Sequence, residues 1–106
     1  MQELNLQLFE QYTQQGEKPV LVDFWAPWCV YCRRINPAME RIAQQFADTL
    51  IVAKVNIDDV PEPARREHIE VIPTLVLYQN GEALGSIVAP ESKARIEEFI
   101  HETLGQ

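Results

Sequence analysis

An α/β fold, with a mixed central sheet and helices on both of its faces, follows from three patterns in the chain. Val20-Leu21-Val22-Asp23-Phe24-Trp25 and Ile51-Val52-Ala53-Lys54-Val55-Asn56-Ile57 are apolar with little alternation, as parallel strands covered on both faces are. Between them Cys32, Ile35, Met39, Ile42, Ala43 and Phe46 recur at helical spacing, so strand, helix and strand make a right-handed βαβ unit. Further on, Asn80-Gly81 separates two strand-like segments and predicts an antiparallel hairpin.

The elements follow in order. Leu4, Leu6, Leu8, Phe9 and Tyr12 give a mixed pattern, a strand stub and then a helix that Asn5 caps and that ends near Gly16. After the first long strand, the crossover helix covers about 30 to 47. It contains Pro37, whose ring removes one hydrogen bond and is expected to kink the axis. The second long strand leads to a short proline-rich helical segment, about Pro61 to His68. Strands from Thr74 to Tyr78 and from about Leu84 to Val88 flank the Asn-Gly turn. Ile96, Phe99, Ile100 and Leu104 then lie on one face of a closing helix capped by Ser92.

At 106 residues the chain is expected to be a single domain, 1–106, with room for one core and one site. Its apolar fraction of 46% and charged fraction of 24% are those of a globular protein, and no run approaches the length of a membrane span. The start, Met1-Gln2-Glu3-Leu4-Asn5, lacks the features of a secretory signal, so a cytoplasmic location is expected. A net charge of −7 argues against nucleic acid as a partner.

The two cysteines of the chain stand in Trp28-Cys29-Val30-Tyr31-Cys32, at the junction of strand and helix. There the first thiol meets the unsatisfied N–H groups of the first helical turn, whose partial positive charge favours thiolate. The second lies one turn on, close enough to close a small disulfide ring. Half a zinc site and inert buried cysteines are the alternatives. A tetrahedral zinc site needs four ligands, and only the distant His68 and His101 are on offer. In a cytosolic protein, paired cysteines more often react than staple a fold.

Taken together, Val22-Asp23-Phe24-Trp25-Ala26-Pro27-Trp28-Cys29-x-x-Cys32, Ala53-Lys54-Val55-Asn56-Ile57-Asp58, Ile72-Pro73-Thr74 and Asn80-Gly81-Glu82 resemble the thioredoxins, in their order and at their separations. The resemblance runs from end to end and implies the thioredoxin fold, thiol–disulfide oxidoreductase activity on protein disulfides, and no cofactor beyond the Cys29–Cys32 couple. Cys29 would attack a substrate disulfide and Cys32 would resolve the mixed disulfide. Asp23 would be the buried carboxylate that exchanges a proton with Cys32. An acid inside a doubly covered strand should have a raised pKa, which suits that role, and pairing with Lys54 for structure alone is the other reading. Lys54 would modulate Asp23 in either case. Pro73 matches the family's cis-proline, and Ile72 would offer its backbone to an extended substrate. Trp28 and Ile72 would form an apolar rim, with Trp25 a supporting residue; His68 and His101 would have no part. The expected partners are disulfide-containing proteins and a thioredoxin-reductase-like enzyme or glutathione, and a monomer is expected.

The chain also departs from its family. Val30-Tyr31 replaces the usual Gly-Pro between the cysteines, which restores an N–H to the helix start and should make the couple more oxidising. Tyr31 would add an aromatic ring to the substrate face, as in glutaredoxins and some disulfide isomerases. Ala89 stands for a glycine of the substrate groove and Val71 for the glycine before Ile72-Pro73, both adding bulk. An isomerase or oxidase, a glutaredoxin-like activity, and a dimer sharing an iron–sulfur cluster are the alternative functions.

Overall fold

Strands with an apolar layer on each face need helices on both sides, and the chain supplies them in alternation. The computed structural model describes residues 1–105. Its elements are β1 (Gln2–Glu3), α1 (Leu6–Gln15), β2 (Val20–Trp25), α2 (Val30–Gln45), β3 (Ile51–Asn56), α3 (Glu62–Arg66), β4 (Thr74–Gln79), β5 (Glu82–Val88) and α4 (Lys93–Leu104). The five strands form one sheet in the order β1-β3-β2-β4-β5. β3 is parallel to β1 and β2, whereas β4 is antiparallel to β2 and β5. The sheet is therefore mixed, as expected from the crossover helix and the hairpin.

Successive residues of a strand point to opposite faces, and the two cores divide accordingly. Leu21, Val52, Leu75 and Leu77 meet Ile35, Met39 and Ile42 of α2 and Ile96, Phe99 and Ile100 of α4. Val20, Val22, Phe24, Ala53, Val55, Val76 and Tyr78 face the other way, onto Phe9 of α1 and Ala64 of α3. Each large buried side chain contributes about 1.5–3 kcal/mol relative to exposure. The same parity decides the site. Asp23 lies between Val22 and Phe24, and Lys54 between Ala53 and Val55, so both are carried to the α2 side of the sheet.

Local chemistry sets the element ends. Asn5 Oδ1 accepts the Leu8 N–H at 2.8 Å, and Ser92 Oγ accepts the Arg95 N–H at 3.1 Å, each satisfying a donor at a helix start. At Gly16 a Cβ would come within 2.8 Å of the Tyr12 carbonyl oxygen, which explains the glycine after α1. Asn80 and Gly81 have φ of 54° and 81°, the paired positive values of a type I′ turn. That turn returns the chain at once, so β5 begins at Glu82 rather than near Leu84. The opening strand is Gln2–Glu3, not a stub at Leu4; Leu4 is buried, and its N–H donates to the Lys54 carbonyl at 2.8 Å. α2 continues as one helix through Pro37.

Candidate functional site

β2 ends at Trp25, and Ala26-Pro27-Trp28 carry the chain into α2. Cys29 is the N-cap of that helix, with extended backbone (φ −84°, ψ 108°), and its Sγ accepts the Cys32 N–H at 3.1 Å. The sulfur thus takes the place of the serine or aspartate oxygen of an ordinary cap, where helix N–H groups and the helix dipole favour negative charge. Cys29 and Cys32 are joined in a disulfide, with their Cα atoms 5.3 Å apart. Cys32 is the deeper of the two, 3% exposed against 8% for Cys29.

Opposite the disulfide, the Ile72–Pro73 peptide is cis, and the Ile72 carbonyl oxygen lies 3.9 Å from Cys29 Sγ. The Pro73 carbonyl accepts the Ala89 N–H at 2.8 Å, which brings the loop after β5 alongside. Ala89 has φ 43°, in the left-handed region where a Cβ is disfavoured and glycine is at ease. Trp28 and Val30 flank Cys29 in the chain, Val71 precedes Ile72 and Val88 precedes Ala89; all four are exposed. The Trp28 indole N–H donates to Asp58 at 2.9 Å, holding the ring at the rim. Tyr31 is oriented differently from the expectation of a ring offered to substrate. Its ring packs at the edge of the α2/α4 core, and its hydroxyl donates to the Pro90 carbonyl at 2.8 Å.

Behind the disulfide is a cavity of about 250 Å³ lined by Asp23, Trp25, Cys32, Arg33, Asn36 and Lys54. Asp23 is 2% exposed, and its Oδ1 has no hydrogen-bond partner. Burial pushes its carboxyl up to about 7; the charge of Lys54 pulls it down by less, and Glu3 adds to the rise. Asp23 and Lys54 are register partners across β2 and β3, yet they form no ion pair. The Lys54 ammonium sits instead 4.6 Å above the Trp25 ring, a cation–π contact, while the Trp25 indole N–H donates to Glu3 at 2.9 Å. The reading of Asp23 and Lys54 as a structural ion pair is thereby corrected: the lysine tunes the acid through space from its seat on tryptophan.

Two cavity residues went unread in the sequence. Asn36 follows Cys32 by four residues, one helical turn, so helical spacing alone was enough to find it. Arg33 closes the side of the cavity and donates to the Pro27 carbonyl at 2.7 Å. Neither His68 nor His101 lines it; His68 stands in the turn after α3 and His101 on α4 against Phe46. Among the described residues, no group of three or more His, Cys, Asp or Glu side chains is placed to hold a metal ion. No helix among them is long and apolar enough to cross a membrane.

A family model described as Thioredoxin matches residues 1–102. The chain belongs to the thioredoxin family. A thioredoxin of Acidithiobacillus ferridurans is 44% identical over 96 residues, covering 91% of this chain and 89% of the relative. A thioredoxin of Buchnera aphidicola subsp. Baizongia pistaciae is 41% identical over 99 residues, 93% of this chain and 91% of the relative. A thioredoxin of Alicyclobacillus acidocaldarius is 40% identical over 94 residues, 89% of this chain and 90% of the relative. Membership of the thioredoxin family and the Cys29–Cys32 disulfide make the chain a thiol–disulfide oxidoreductase. Its fold is the thioredoxin fold.

Proposed function

We propose that this oxidoreductase reduces disulfides of other proteins through a mixed disulfide on Cys29. The observation that carries this reading is the Cys29 sulfur at the N-cap of α2, accepting the Cys32 N–H and facing the Ile72 carbonyl. In the reduced protein the Cys29 thiolate attacks one sulfur of a substrate disulfide. A Cys29–substrate S–S bond forms, the substrate's own S–S bond breaks, and the departing thiolate takes up a proton. Cys32 then gives its proton to the Asp23 carboxylate and attacks Cys29 Sγ. The Cys29–Cys32 bond closes, the second substrate thiol leaves, and two electrons have passed to the substrate.

An acid with a pKa of about 7 is divided between its two forms near neutrality, so Asp23 can both take and return that proton. The shared cavity supports this role, because it joins Asp23 to Cys32 through a space large enough for water. Lys54 favours the ionised form from its seat over Trp25. Trp28, Ile72, Pro73 and Ala89 are the substrate contacts of this reading, with the Ile72 backbone pairing with an extended segment. A thioredoxin-reductase-like enzyme or glutathione restores the dithiol. The couple needs no other cofactor, and the protein works as a cytoplasmic monomer, without nucleic acid or membrane.

Reduction of insulin disulfides with dithiothreitol as the electron source tests the activity. The Cys32→Ser variant, exposed to insulin, should accumulate a mixed disulfide on Cys29 that mass spectrometry detects. Failure of the unaltered protein to accelerate insulin reduction defeats the reading. Equal capture of insulin by Cys32 in a Cys29→Ser variant reverses the assignment of the two thiols.

A further inference from the structure

We infer that Tyr31 is a positioning residue for substrate recognition, acting through Pro90 and Ala89 and not by touching substrate. The inference rests on the reading above, in which the Pro73 and Ala89 backbone borders the substrate. A closed circuit of contacts carries it. Cys29 Sγ lies 3.9 Å from the Ile72 carbonyl; the next carbonyl, of Pro73, holds the Ala89 N–H at 2.8 Å; the next residue after Ala89, Pro90, accepts the Tyr31 hydroxyl at 2.8 Å. Tyr31 lies between the two cysteines, so the circuit returns to the helix start from which it left.

Ala89 needs such support. Its φ of 43° is unfavourable for any residue with a Cβ, and the residue before a proline is pushed towards extended backbone, which opposes it again. A conformation of that kind persists only where its surroundings over-determine it. The structure has one bond on each side of Ala89: its own N–H to Pro73, and the carbonyl of Pro90 to Tyr31. Pro90 has no N–H, so its carbonyl is the backbone handle by which a side chain can hold it. Pro90 is buried and the Tyr31 ring is packed at the edge of the α2/α4 core, so the hydroxyl reaches Pro90 from a fixed ring.

Tyr31→Phe removes the hydroxyl and keeps the ring, which separates brace from packing. Amide exchange of Ala89 should become about three- to tenfold faster than in the parent, the loss of one ordinary hydrogen bond, while the β2 amides exchange as before. KM for insulin should rise by a similar factor, with kcat for insulin, turnover of the small disulfide cystamine and the Cys29–Cys32 reduction potential unchanged. In an Ala89→Gly background, where φ 43° costs nothing, the Tyr31→Phe effect on KM should shrink towards one. Unchanged Ala89 exchange overturns the brace, as does an equal loss with insulin and cystamine or a shifted potential, since these place Tyr31 in the thiol chemistry itself. If the unaltered protein does not reduce insulin, the proposed activity fails while the exchange measurement still tests the brace.

Discussion

Asp23 shows how far one residue can be set against the fold that holds it. Its carboxyl is buried without a partner for Oδ1 and titrates near 7, well above an ordinary aspartate. Below about pH 4 it is protonated in folded and unfolded chains alike and has no effect on their balance. Between about pH 4 and pH 7 the unfolded chain loses the proton and the folded chain keeps it, so stability falls as pH rises and levels off above 7. Three pH units of this linkage amount to roughly 4 kcal/mol. Asp23→Asn removes the titration. Chemical denaturation should find the variant more stable than the parent at pH 8 and nearly equal at pH 4, while resolution of the Cys29 mixed disulfide slows at pH 7. A variant less stable than its parent at pH 8 would count against burial as the cause. Ala89 is the second residue at odds with its position, at φ 43° before a proline. Ala89→Gly relieves the left-handed strain of about 1–2 kcal/mol and adds back some unfolded-chain entropy, a net gain of roughly 0.5–1 kcal/mol measurable by denaturant unfolding. A loss of stability instead would show that the alanine methyl packs usefully.

The start of α2 is where an element becomes chemistry. Val30, Tyr31 and Cys32 present the N–H groups of the first turn, and the Cys32 N–H already points at Cys29 Sγ. Tyr31→Pro removes one of those donors, so it should weaken the Cys29 thiolate and make the couple more reducing. The change is about 30 mV for each tenfold loss of thiolate stability, read by equilibration with glutathione. The structure adds a second consequence, loss of the bond to Pro90, which the proline shares with Tyr31→Phe. Comparing the two variants divides them: a potential shifted in both, or in neither, would sink the argument from the helix start. This element, like the other helices and the hairpin, was legible in the sequence because what makes each of them is local. The apolar spacing of Ile35, Met39 and Ile42, the caps at Asn5 and Ser92 and the turn at Asn80-Gly81 each involve residues within a turn or two of one another. Gln2–Glu3 was not legible, since two exposed polar residues carry no strand pattern and pair only because β3 is there to receive them.

At the scale of the whole molecule, the contacts that escaped the sequence are those that depend on strand order. Trp28 to Asp58, Tyr31 to Pro90 and Lys54 over Trp25 each join residues brought together by the β3-β2-β4-β5 arrangement, and no spacing in the chain announces them. The four sequence blocks resembling thioredoxins implied that residues 29, 32, 72 and 73 meet, and the departure at Ala89 placed that residue beside them, but neither said through which side chains. This division between local and distant contacts has a measurable consequence. The hydrogen bond that favours negative charge on Cys29 spans three residues, so the chemistry of the couple should not depend on how firmly the sheet is packed. Leu77 is fully buried on β4, in the layer between the sheet and the α2 and α4 helices, and pairs in register with Leu21 and Gly85. Leu77→Ala leaves a cavity there and should lower unfolding free energy by about 2–5 kcal/mol. Below its melting transition the variant should equilibrate with glutathione at the parent's potential, because the α2 cap is intact. Its KM for insulin should be the more sensitive quantity, since the Pro73 and Ala89 backbone is held by the distant contacts that a loosened sheet disturbs. A variant that kept its KM but shifted its potential would mean that the core, and not the cap at Cys29, sets the thiol chemistry.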